Sequence, residues 1–179
     1  MKRKLLYLEI VGALFVIMVG ALFHFVFEWS NQWIPLGAIV AVNESVWEHL
    51  KLVYWPLVFF SIMEYFSVKE EVNNFVLAKL TAIIIAETTI LVIFYSYTAI
   101  IGTEILLVDI LSFMIGIILG YLVSYRLLKR KKTPKWTMIV SVLVMVFLGT
   151  IFVVFTYFPP EIPIFQDPET GLYGIILNL

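Results

Sequence analysis

Apolar residues along this chain run in long blocks separated by short polar breaks. The blocks cover Leu5–Phe27, Ser45–Phe66, Phe75–Thr98, Glu104–Leu128 and Trp136–Phe158. Each is close to the roughly 20 residues that a helix needs to cross a bilayer. No internal repeat or separate soluble stretch intervenes, so the pattern predicts one all-α, polytopic membrane helix bundle of five transmembrane helices in a single domain over 1–179. Trp33–Val42 is also apolar, but its ten or so residues are too few to cross. With Pro35 and Gly37 inside, it is expected to be interfacial or re-entrant.

The breaks carry their own signals. Ser45 with Glu48 three residues on matches a capping box, with Asn43 as an alternative N-cap for the second helix. Pro56 lies inside that helix and would clash with the carbonyl of Leu52, which predicts a kink. Gly116 and Gly120 make a small-residue face suited to close helix packing, including packing against a partner protein. In the tail, Pro159, Pro160 and Pro163 forbid further helix, and Asp167-Pro168-Glu169-Thr170-Gly171 is turn chemistry. Ile164, Phe165, Leu172, Tyr173, Ile175 and Ile176 flank that turn, so 159–179 should fold back as a cap.

Composition strengthens the membrane reading. The chain is 62% apolar and 14% charged, against about 45–50% and 25% in soluble domains. Charge sets an expected orientation. Residues 1–4, 67–79 and 126–135 hold 11 of the 12 lysines and arginines. The positive-inside rule then puts the N-terminus in the cytoplasm and the C-terminus outside. The remaining cation is Lys51, in the polar stretch Asn43–Lys51. With no cysteine present, disulfides, thiolate metal sites and cysteine nucleophiles are excluded. Nucleic-acid and phosphate-loop motifs are absent as well.

Candidate chemistry collects at the expected outer face. His24 and Glu28 share one helix face, and Ser45 and His49 share another. Glu44, Glu48, Lys51 and Asp109 lie at the same depth. Ionisable groups inside a membrane are functional candidates by default. Two imidazoles with carboxylates can supply a shell for a divalent metal such as zinc, whose bound water becomes a nucleophile near neutral pH. His24, His49 and Asp109 are the expected metal ligands. Glu48 or Glu44 would act as general base, and Lys51 would hold an anionic group.

A structural reading stands beside this one. Glu48 can close the capping box, Lys51 can pair with Glu48 or Glu44, and His49 can bond a carbonyl. Trp29, Trp33, Trp47 and Trp55 read as an interfacial belt. Glu9 and Glu64 can snorkel or pair with Lys69 or Lys79. Glu87, with no such escape, is either protonated or bonded to a hydroxyl such as that of Thr88 or of another helix, and reads as a neutral structural acid.

Three stretches carry a resemblance: His24-Phe-Val-Phe-Glu28-Trp-Ser30, Val42-Asn-Glu-Ser-Val-Trp-Glu-His-Leu-Lys51 and Pro163-Ile-Phe-Gln-Asp-Pro-Glu-Thr-Gly-Leu-Tyr-Gly174. Together they resemble a family of small bacterial multi-span membrane proteins with a domain-of-unknown-function label. That resemblance implies an integral membrane protein with outward-facing polar motifs and brings no reaction with it; the expected location is the bacterial plasma membrane. A looser likeness is to membrane hydrolases of the ceramidase type, which place a His/Asp zinc site among helices. In outline the chain is also similar to the vitamin-capturing S subunits of energy-coupling-factor transporters. Two function classes follow. One is a metal-assisted hydrolase or transferase acting on a lipid or cell-envelope substrate. The other is a small-ligand binding or transport subunit. An accessory protein with a purely structural polar cluster is the plainer alternative.

Overall fold

The computed structural model describes residues 2–177, apart from the side chain of Lys2. Five helices run through it: α1 (Lys2–Trp29), α2 (Val46–Val68), α3 (Phe75–Ile101), α4 (Leu106–Leu128) and α5 (Lys135–Tyr157). Two short 3-10 helices, Ile34–Ala38 and Pro163–Phe165, lie in the connections. Among the described residues there is no extended strand, and the one β-bridge pairs Gln166 with Tyr173 in the tail.

Four helices, α1, α3, α4 and α5, are long and apolar enough to cross a membrane. The second block was expected to be an equal of these. Instead α2 is the inner helix, packed against α1, α3 and α5. Its polar residues Glu48, Lys51, Ser61 and Glu64 are all buried. Neighbouring helices, rather than lipid, form most of its surroundings, which is why it tolerates several buried charges. The main core surrounds it, with Val53 and Leu57 of α2 packed among Val16, Ile83, Ile117 and Phe152.

Helix α2 runs unbroken through Pro56. The carbonyl of Leu52, which loses its usual helical donor to that proline, sits directly against Gly20 of α1, where any side chain would collide. On α4, the glycine face is filled from within the chain. A Cβ at Gly116 would lie 2.7 Å from the carbonyl oxygen of Ala86, and one at Gly120 2.5 Å from that of Ala82. The face expected to be available to a partner is therefore the seam between α3 and α4, the most extensive helix pairing in the fold.

The short apolar segment does not cross. After α1, Asn31 and Gln32 adopt left-handed backbone (φ 55° and 56°) and turn the chain. The 3-10 helix Ile34–Ala38 then packs against α5 and α1. The tail folds back over it: Ile175 joins the cluster of Phe27, Val40 and Val42, and Phe165 is buried against Trp47 and Phe155. Residues 178–179 of the expected cap lie outside the described residues. Of the four expected belt tryptophans, Trp29 and Trp33 are exposed. Trp47 instead stacks inward on Phe152 at 4.7 Å and Phe165 at 4.8 Å.

Candidate functional site

The polar stretch begins where α2 is capped. The hydroxyl of Ser45 accepts the backbone N–H of Glu48 at 3.4 Å, as the capping pattern predicts. Glu48 does not complete the reciprocal half of the box. Its carboxylate turns inward, accepting the Val42 N–H at 3.1 Å and the Thr156 hydroxyl at 2.9 Å, and pairs with Lys51 at 2.6 Å. Lys51 also donates to the Gly37 carbonyl at 2.6 Å and to Thr156 at 2.8 Å. All three ammonium protons thereby have acceptors. This buried network ties α2 to α5 and to the 33–42 segment. Glu48 and Lys51, expected as general base and anion clamp, are 2% and 0% exposed and turned away from solvent.

Removing those two leaves a different constellation. His24 of α1 reaches across to Glu44 and His49. Its Nε2 lies 3.2 Å from Glu44 Oε2 and 3.2 Å from His49 Nε2, and the third side, His49 Nε2 to Glu44 Oε2, is 3.5 Å. These three form the one cluster with metal-ligand spacing among the described residues. A tetrahedral ion with Zn–N and Zn–O bonds near 2.0–2.1 Å sets its ligand atoms about 3.3–3.4 Å apart, a spacing close to the edges of this triangle.

The tautomer also suits a metal. His49 Nδ1 lies 2.9 Å from the Ser45 carbonyl oxygen, which can only accept, so Nδ1 carries the proton. Nε2 is then the lone-pair nitrogen, and it points at the triangle. A backbone acceptor on the far ring nitrogen is the usual outer support of a metal-bound imidazole. Glu44 is equally well placed. The hydrogen bond from His24 holds its carboxyl below the ordinary carboxylate range, against the upward pull of partial burial.

The tail supports the triangle from behind. Asp167 is buried, and its Oδ2 accepts the backbone N–H of Glu44 at 3.2 Å. Its Oδ1 accepts the N–H groups of Glu169 and Thr170 at 2.8 and 2.9 Å, closing the Asp-Pro-Glu-Thr turn on itself. Asn43 adds a second link: its Nδ2 donates to the Gly174 carbonyl at 2.8 Å while its Oδ1 accepts the Ser45 N–H at 2.9 Å. Beside the triangle opens a cleft of about 230 Å³, lined by residues that include His24, Glu28, Asn43, Glu44 and Thr170.

Asp109 does not join this cluster. Its carboxylate accepts the Tyr97 hydroxyl at 2.7 Å and thereby closes the α3–α4 turn. The third corner of the triangle is Glu44 instead, and Asp167 behind it was read only as a turn residue. A family model matches residues 1–175, which takes in the whole triangle and the tail that braces it. The chain belongs to DUF6512, a family of unknown function. No curated protein and no solved structure matches it. For this DUF6512 chain, then, the site's own geometry carries the functional argument.

Proposed function

We propose that His24, Glu44 and His49 hold a divalent metal such as zinc, and that the chain is a metal-assisted hydrolase or transferase. The observation that carries this is the convergence of three ligand atoms at tetrahedral spacing, with one imidazole locked in the metal-binding tautomer. Three protein ligands and an open fourth position are the pattern of catalytic zinc, in which the ion activates water and polarises the oxygen it attacks. Glu28, one helical turn beyond His24, lines the cleft and is the carboxylate placed to exchange a proton there.

Substrate class follows from depth and charge. The site lies at the end of α1 and the start of α2, at the rim of four membrane-compatible helices. That favours a lipid or another membrane-presented substrate, which at the non-cytoplasmic face of the plasma membrane means the envelope. No lysine or arginine lines the cleft, and the cation expected to grip an anionic head group is locked in its pair with Glu48. The metal itself would therefore supply the positive charge. At about 230 Å³ the cleft falls below the roughly 300–1,000 Å³ of sites that enclose drug-sized ligands, so it suits a reacting head group better than a captured vitamin.

Elemental analysis of detergent-purified protein tests the proposal. About one zinc per chain is expected, removable by chelator and lost in His24→Ala and His49→Ala. A chain that carries no stoichiometric metal after zinc reconstitution, or variants that keep it, would overturn the reading.

A further inference from the structure

A second polar cluster lies at the opposite end of the bundle, about 22 Å along α1 from His24 at 1.5 Å per residue. Glu9 of α1 and Glu64 of α2 both pair with Lys79 of α3, at 2.6 and 2.7 Å. Ser124 of α4 donates to Glu9 Oε1 at 3.2 Å. All four side chains are buried, Lys79 and Ser124 completely. Lys79 also lies 5.1 Å from the ring centroid of Tyr121, another buried residue of α4.

The charges of this cluster do not balance. Two carboxylates face one ammonium, and Lys79 is the cation that the ion pairs bring to them. An uncompensated charge in such a dry site is strongly unfavourable. The hydrogen bonds do not close either. Glu9 Oε2, Glu64 Oε1 and the Tyr121 hydroxyl are buried and have no hydrogen-bond partner among the described residues. That hydroxyl lies against α1, since a Cβ at Gly12, one turn from Glu9, would fall 2.8 Å from it. Several unused acceptors and one missing positive charge meet at a point shared by four helices.

We infer that Glu9 and Glu64 share one bound, exchangeable proton, held between α1 and α2 beside Lys79. A proton supplies the missing charge and turns one carboxyl into the donor that the unpaired oxygens lack. A hard metal cation fits poorly, because it takes about six or more oxygen ligands and few unpaired oxygens are present. The groups facing the proton are Lys79 from α3 and Ser124 and Tyr121 from α4, so its loss would set a bare negative charge in a four-helix junction. The site is separate from the histidine triangle, and neither depends on the other.

Infrared spectroscopy of the purified chain reads the proton directly. Glu87 is another buried acid, and its Oε1 has no partner among the described residues, so the measurement uses Glu87→Gln as its background. One protonated-carboxyl band per chain, shifted by deuterium exchange, is expected at neutral pH. Either Glu9→Gln or Glu64→Gln should abolish it, because the surviving carboxylate then balances Lys79. Lys79→Met should double it, since both acids must then be neutral. No band in Glu87→Gln, a band that disappears when sodium replaces choline in the buffer, or a band that survives both glutamine variants would overturn the inference. If a second substitution prevents folding, as judged by circular dichroism and gel filtration, the presence and sodium-independence of the band in Glu87→Gln alone decide the matter.

Discussion

The ammonium of Lys51 donates to three acceptors and meets no solvent, so Lys51→Met leaves Glu48 as a buried charge without a counter-ion. A loss of about 3–5 kcal/mol is expected, seen as a lowered melting temperature in detergent. Adding Glu48→Gln should recover much of it. If the single variant melts like the parent, the network does not hold α5 and the 33–42 segment on α2. These residues also show how far a sequence speaks at this scale. The pairing of Glu48 with Lys51, the Ser45 cap and a carbonyl partner for His49 were all legible, because residues three and four apart on a helix must meet. Asp109 was not legible. Its depth matched that of the histidines, but depth leaves the azimuth of a helix undetermined, and α4 turns that carboxylate to Tyr97. Glu44 emerged as a corner of the triangle only once a loop, whose path has no periodicity to read, was seen to place it between two rings.

At the scale of elements, apolar blocks located the helices to within a few residues, since burial in lipid demands long uninterrupted runs. Which block lies innermost was harder to read. The second block read as a span equal to the others, whereas its buried polar residues mark it as the helix with most protein around it. The glycine pair on α4 illustrates the same ambiguity, for small residues announce close packing without naming the neighbour. With Ala82 and Ala86 now identified as that neighbour, Gly120→Val should overpack the α3–α4 seam and destabilise by about 1–3 kcal/mol. Its mass by light scattering in detergent should equal the parent's. A change in oligomeric state with unaltered melting would show instead that the face serves another chain.

The whole molecule is polarised. Lysines and arginines gather where α1 begins and at the α2–α3 and α4–α5 turns, while the triangle, its cleft and the tail occupy the other end. Because the chain has no cysteine, single-cysteine labelling can test the orientation without a background. Lys131→Cys should react with an impermeant maleimide only after the membrane is opened, and Glu161→Cys should react in intact cells. The reverse pattern would place the cleft in the cytoplasm and remove the envelope from its substrates. The tail's hold on Glu44 has one more consequence. A protein is inserted in the order it is made, and Asp167 arrives only after all five helices. Until it does, the backbone of Glu44 lacks that brace, so a half-synthesised chain has both histidines but not the hydrogen bond that steadies the carboxylate between them. The brace comes last in the order of translation, and a chain stalled before residue 167 would lack it.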